Sequence, residues 1–150
     1  MNIERLRPIN ILLVEDNPGD VRLVREGLKE SKVSNEMAVA TDGEEATLYL
    51  KRQGKYAGVP LPDLILLDLN LPKKNGKEVL ADIKSDPELR SIPVIVLTSS
   101  QAAQDVAQSY DNHVNCYIVK PVGFDEFLKI VNNIRDFWFM IVKLPGNGEA

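Results

Sequence analysis

The sequence predicts an α/β fold, a (βα)5 doubly wound parallel sheet of strand order 2-1-3-4-5. Two observations carry that expectation. Apolar runs of strand length alternate along the chain with segments of helical periodicity, the pattern of a parallel sheet covered on both faces. The helical segments also open on recognisable start signals, so the alternation has defined boundaries.

The first strand is read at 9–15 (INILLVE), and the others at 36–40, 63–67, 93–97 and 115–119. Between the first two lies NPGDVRLVREGLKES. There Asn17 suits the cap and Pro18 the first helical position, and Val21, Val24 and Leu28 recur on one face. Further helices are expected at about 43–53, 76–85, 101–110 and 124–140, with starts marked by TDGEEA, KNGKEV, SSQAAQ and VGFDEF. Residues 53–62, QGKYAGVPLP, form the one long irregular connection, rich in Gly and Pro, and should run over the surface.

Composition bounds the function. A chain of 150 residues that is 44% hydrophobic fits one domain, 1–150, with a core at about 8–142 and no output domain. Its longest apolar runs fall far short of the ~20 residues that cross a bilayer, and MNIERLRP lacks the apolar stretch of a signal peptide. A soluble, cytoplasmic protein with no membrane partner is expected. One cysteine, Cys116, allows no internal disulfide, and a single histidine, His113, argues against a Cys/His zinc site. A net charge of -4 disfavours a nucleic-acid surface.

In sheets of this order, ligands sit beyond the carboxyl ends of the strands where the order reverses, between strands 1 and 3. Strand 1 runs into Glu15 and Asp16, strand 3 into Asp68, strand 4 into Thr98, Ser99 and Ser100, and strand 5 into Lys120 and Pro121. Carboxylates from neighbouring strand tips would repel by about 4 kcal/mol at 4 Å in an effective dielectric near 20, so they call for a cation. A few hard oxygen ligands suit Mg2+, and no soft ligand is at hand for zinc. A metal, the Lys120 ammonium and the Thr98 hydroxyl around one carboxylate form an apparatus for a transferred phosphoryl group. Asp68 is then the nucleophile, since a carboxylate needs no base to become one.

These residues resemble the receiver domain of two-component response regulators, the CheY-like family of flavodoxin-like fold. LLVEDNP, LILLDLNLPKKNG, VIVLTSS and YIVKP follow one another in order at the strand tips, and the likeness spans about 8–142. The resemblance implies that Asp68 takes a phosphoryl group from a phosphohistidine on a sensor histidine kinase. It implies that Glu15, Asp16, Asp68 and the backbone carbonyl of Asn70 hold Mg2+, and that Lys120 pairs with the phosphoryl oxygens. Because Glu is longer than Asp by a methylene, a water is expected between Glu15 and the ion. Thr98 is drawn to the phosphate and Tyr117 turns inward, reshaping the surface of the fourth helix, fifth strand and fifth helix by population shift. Lys120-Pro121 resembles the family's cis peptide, which an X-Pro bond adopts at a cost of only ~0.5 to 1 kcal/mol. Asn70 and Ser100 stand where family members tune the access of hydrolytic water; for Ser100, ordinary loop polarity is an equal account. The segment around Asp68, the loop before it and the tail are similar to the single-domain receivers that serve cyanobacterial phytochromes, which points to a phytochrome-type kinase as partner. Cys116 is read as a small core residue and His113 as a loop residue.

The tail adds a further expectation. Phe137, Trp138, Phe139, Met140, Ile141 and Val142 are six successive apolar residues, more than one helical stripe, and point to an interface. A homodimer joined there is expected, with an unknown downstream protein as readout. The competing account is that Trp138 and its neighbours fold back on their own core. Three other functions fit less well. In a flavodoxin-like binding module the acids around the site would repel a flavin phosphate, and no Gly-rich or Ser/Thr-rich phosphate loop follows strand 1. A haloacid dehalogenase-type phosphatase places a second aspartate where Asn70 stands. A binding module that works without phosphorylation would not need the whole charge set.

Overall fold

The structure, a computed structural model, describes residues 8–30, 34–98 and 116–119, with the backbone alone for 98 and 116–119. The elements run β1 (Ile9–Val14), α1 (Pro18–Glu30), β2 (Asn35–Ala40), α2 (Gly43–Leu50), a 3-10 turn (Gly54–Tyr56), β3 (Leu64–Asp68), α3 (Gly76–Ser85), β4 (Val94–Thr98) and β5 (Cys116–Val119). The five strands form one parallel sheet of order β2-β1-β3-β4-β5. The expected strand order is thus present, and strands alternate with helices through α1, α2 and α3; the helices expected at 101–110 and 124–140 lie outside the described residues.

Parity divides the core. Side chains of a strand alternate between faces. Leu12, Val14, Ile65, Leu67, Val94 and Val96 therefore pack with Ala46 and Leu50 of α2 and Val79, Leu80 and Ile83 of α3. Ile9, Ile11, Leu13, Leu64, Leu66, Ile95 and Leu97 meet Val24 and Leu28 of α1 on the other face, with Val21 against the edge of that cluster. Both faces being covered, the strands read as almost unbroken apolar runs. The α1 start is as expected: the Asp20 amide donates to Asn17 Oδ1 at 3.0 Å, and Pro18 opens the helix.

Several boundaries differ from the expected ones, each for a local reason. The first strand was expected to include Glu15, but β1 ends at Val14, although the Glu15 amide still donates to Ala40 O at 2.9 Å. β3 is shifted by one residue, 64–68 instead of 63–67, so that Asp68, expected at the strand's tip, is its last residue. Pro93 has no amide to join a ladder, and β4 starts at Val94. β2 begins one residue earlier than expected and β5 one later.

The second helix was expected to reach 53, yet it stops at Leu50 because Arg52 takes φ 55. The Arg52 amide then donates to Tyr49 O and the Gln53 amide to Leu48 O, both at 3.0 Å, which closes the end as a Schellman motif with arginine where glycine is usual. The connection at 53–62 is largely exposed, as expected, and contains the 3-10 turn.

Candidate functional site

Strand register builds the site. Val14 of β1 is paired with Leu67 of β3, so the next residues along, Glu15 and Asp68, stand at the same level. Adjacent strands lie about 4.8 Å apart. Parity adds direction: Glu15 continues the series Ile9, Ile11, Leu13, and Asp68 the series Leu64, Leu66, so both belong to the α1 face of the sheet. Asp16 follows at the mouth. One carboxylate oxygen from each of Glu15, Asp16 and Asp68 lies within 4.8 Å of the others.

The burial of these acids is unequal. Glu15 is 0% exposed and Asp68 3%, and they are the two buried charged side chains among the described residues, whereas Asp16 is exposed. Two backbone amides orient the buried pair. Asn17 donates to Glu15 Oε2 at 3.2 Å and Asn70 to Asp68 Oδ1 at 2.9 Å. Three close acidic groups, two of them out of bulk water, repel when ionised, and a divalent cation that prefers hard oxygen ligands relieves that repulsion. The donor set therefore fits such an ion, with an open, solvent-facing side at Asp16 for water or a substrate oxygen.

The acceptor loop, 69–75, is held at both ends. Asn75 closes α3 with a capping box: Asn75 Oδ1 accepts from the Glu78 amide at 3.0 Å, and the Asn75 amide donates to Glu78 Oε1 at 3.2 Å. At Gly76 a Cβ would stand 2.3 Å from Asp68 O and 2.4 Å from Leu69 Cα, so only glycine lets α3 start against the backbone of the acidic residue. Farther along the loop, Lys74 Nζ donates to Thr47 Oγ1 of α2 at 2.9 Å and also bonds Asp82 of α3. Lys73, at φ 64, places Nζ 3.6 Å from Asp42 Oδ2.

Of the residues singled out in the sequence, Glu15, Asp16 and Asp68 are brought together, and Asn70 adjoins them through its amide. Thr98 and Tyr117 lie in β4 and β5, with Thr98 paired to Val119 and Tyr117 to Val96 in the ladder; their side chains are outside the described residues. Ser100, Lys120, Pro121 and the tail from Phe137 to Val142 lie outside them as well. The contacts of Gly43, Thr47, Lys73 and Lys74 were not foreseen. The one signal for them was a glycine at the first position of a helix, where its entropy is unfavourable unless something passes close by.

Comparison with known proteins agrees with this geometry. The family described as response regulator receiver domain matches residues 11–132. Response regulator Rcp1 of Synechocystis sp. is 50% identical over 145 residues, 97% of this chain and 99% of its own. The polar-differentiation response regulator DivK of Brucella anthropi is 33% identical over 126 residues, 84% of this chain and 95% of its own. Among solved structures, the phosphorylated cyanobacterial phytochrome response regulator RcpA shares 51% identity at a TM-score of 0.80, over 93% of this chain and 99% of its own. The Mn2+-bound form of Rcp1 shares 51% at 0.78, over 92% and 99%. With a parallel 2-1-3-4-5 sheet, an acidic cluster at its switch point and half of its residues shared across nearly the full length of Rcp1, the chain belongs to the response regulator receiver family.

Proposed function

We propose that this protein is a receiver that accepts a phosphoryl group on Asp68 from the phosphohistidine of a phytochrome-type sensor kinase, with Mg2+ held by Glu15, Asp16, Asp68 and the Asn70 carbonyl. The observation that carries the reading is the meeting of the Glu15, Asp16 and Asp68 oxygens within 4.8 Å at register-matched strand ends. The phytochrome partner rests on similarity to RcpA, a phytochrome response regulator.

The chemistry follows from the buried carboxylate. An Asp68 oxygen attacks phosphorus in line with the donor's nitrogen–phosphorus bond. The oxygen–phosphorus bond forms as the nitrogen–phosphorus bond breaks, and the imidazole leaves with the electron pair and takes up a proton. Asn70 holds Oδ1 at 2.9 Å and so fixes the plane of the carboxylate before attack. When bound, the divalent ion supplies charge neutralisation for the phosphoryl oxygens. Burial of Asp68 restricts water, so the acyl phosphate is lost slowly and the protein acts as an acceptor rather than a turnover enzyme. Lys120 pairs with the phosphoryl oxygens, Thr98 and Tyr117 respond, and the readout is the surface of β5 and the helices expected at 101–110 and 124–140. Contacts through 137–142 join two copies.

Incubating the protein with acetyl phosphate and MgCl2 should give one acid-labile phosphoryl group per chain by intact mass, and none in Asp68→Asn. Undiminished labelling of that variant would move the acceptor elsewhere. Phosphotransfer from candidate phytochrome kinases, followed against time, tests the partner; transfer no faster than from unrelated kinases would remove it.

A further inference from the structure

Residues 69–75 must hold the Asn70 carbonyl still if it is to complete a metal site, yet the loop contains Lys73 in the left-handed region at φ 64, a conformation retained only when surroundings impose it. The surroundings are the first turn of α2. A Cβ on Gly43 would lie 1.7 Å from Lys74 O and 2.6 Å from its carbon, so the helix start and the loop backbone are in direct contact. The Thr47 hydroxyl donates to Gly43 O at 3.0 Å and accepts from Lys74 Nζ at 2.9 Å, while Lys74 also bonds Asp82 of α3. Asp42, whose Oδ1 caps Glu45, stands 3.6 Å from Lys73 Nζ through its other oxygen. The loop is thus gripped by α2 at Lys73 and Lys74 and by α3 at Gly76.

We propose that Lys74, with Thr47 and Gly43, is a positioning residue for the metal: it touches neither ion nor phosphoryl group, but fixes the loop from which Asn70 presents its carbonyl. This rests on the reading of Asp68 as a Mg2+-dependent acceptor. Outer partners that orient ligands typically change metal affinity by about 10- to 100-fold when lost.

The test uses Lys74→Met and Thr47→Val, with Lys51→Met as control, because Lys51 ties α2 to Asp86 at 2.7 Å without reaching the loop. Amide hydrogen exchange in EDTA should quicken across 69–75 in the first two and not in the control. The Mg2+ dissociation constant by calorimetry should rise about tenfold. The rate of labelling by acetyl phosphate should fall in proportion at limiting Mg2+ and recover at saturating Mg2+, and Lys74→Arg should restore both. Wild-type Mg2+ affinity in Lys74→Met, or in Thr47→Val if the former does not fold, overturns the proposal even where thermal stability drops. A wild-type protein that takes no label overturns the acceptor reading itself, and this proposal with it.

Discussion

Asp16 is the exposed member of a cluster whose other two acids are buried, and that difference predicts how each state of the site responds to its removal. Its charge opposes two like charges within 4.8 Å, a repulsion of about 1 kcal/mol for each even at the dielectric of water. Asp16→Asn should therefore raise the melting temperature in EDTA while shrinking the rise that MgCl2 produces, as differential scanning calorimetry would read; a fall in EDTA would mean that repulsion is not what Asp16 contributes. A second residue-scale prediction concerns Glu45. It accepts from Tyr56 Oη at 2.6 Å and from the Thr41 amide at 2.8 Å. The Tyr56 bond first, then Thr41, holds its carboxyl below the ordinary 4.5, and the same bond pushes the Tyr56 phenol up to about 12. The Glu45 contribution is therefore complete above about pH 4.5 and fades as pH falls through the lowered value. That of Tyr56 is complete below 10 and fades as pH rises towards about 12. Tyr56→Phe should lose about 1 kcal/mol at neutral pH in urea unfolding, and less in acid once Glu45 is protonated.

At the scale of elements, the termini of α2 make opposite demands on glycine. At Gly43 an added methyl meets a backbone carbonyl at 1.7 Å, so Gly43→Ala should destabilise by about 2 kcal/mol or more despite the better helix propensity of alanine. Gly58 has ordinary φ and nothing within 4 Å of an added Cβ, so Gly58→Ala should stabilise by about 0.4 to 1 kcal/mol through the unfolded chain. At the other end of α2, Arg52 is an L residue at φ 55 in a Schellman closure, and its ion pair with Glu88 at 3.3 Å is exposed and worth little. Arg52→Gly should gain about 0.5 to 1 kcal/mol. Urea midpoints of the three variants check all of these together, and a stabilised Gly43→Ala would contradict the close contact with Lys74.

For the whole molecule, the acidic cluster makes stability a function of divalent ion. A ligand that binds only the folded state at 100 times its dissociation constant adds about 2.7 kcal/mol. Melting temperature should rise with MgCl2 and fall back on chelation, and a flat titration to tens of millimolar would remove the metal from the proposal. Sedimentation velocity at tens of micromolar, with and without acetyl phosphate, tests the proposed pairing through Phe137 to Val142; a monomer in both conditions counts against it. Lys120→Ala should keep metal binding while severing phosphorylation from the surface change, visible as labelling without the hydrogen-exchange response of the wild type. No helix among the described residues is long and apolar enough to cross a membrane.

Much of this protein was readable before any coordinates. The unbroken apolar strands announced a sheet covered on both sides, since only burial on both faces removes the need for polar alternation. The order of strand-tip acids announced the site, because a parallel sheet brings the carboxyl ends of its strands to one edge. Other features depended on through-space contact. β3 proved to run over 64–68 rather than 63–67, and the end of α2 at Leu50 was hidden because arginine does not signal a left-handed turn as glycine does. The grip of Gly43, Thr47 and Lys74 on the acceptor loop joins residues up to 31 positions apart, from 43 to 74, and no local pattern encodes such a meeting. Periodicity and residue type determined the layers and the chemistry at their edge. Which side chains hold that edge in place was decided only when α2 and α3 packed against the same face of the sheet, bringing their ends into contact with one loop.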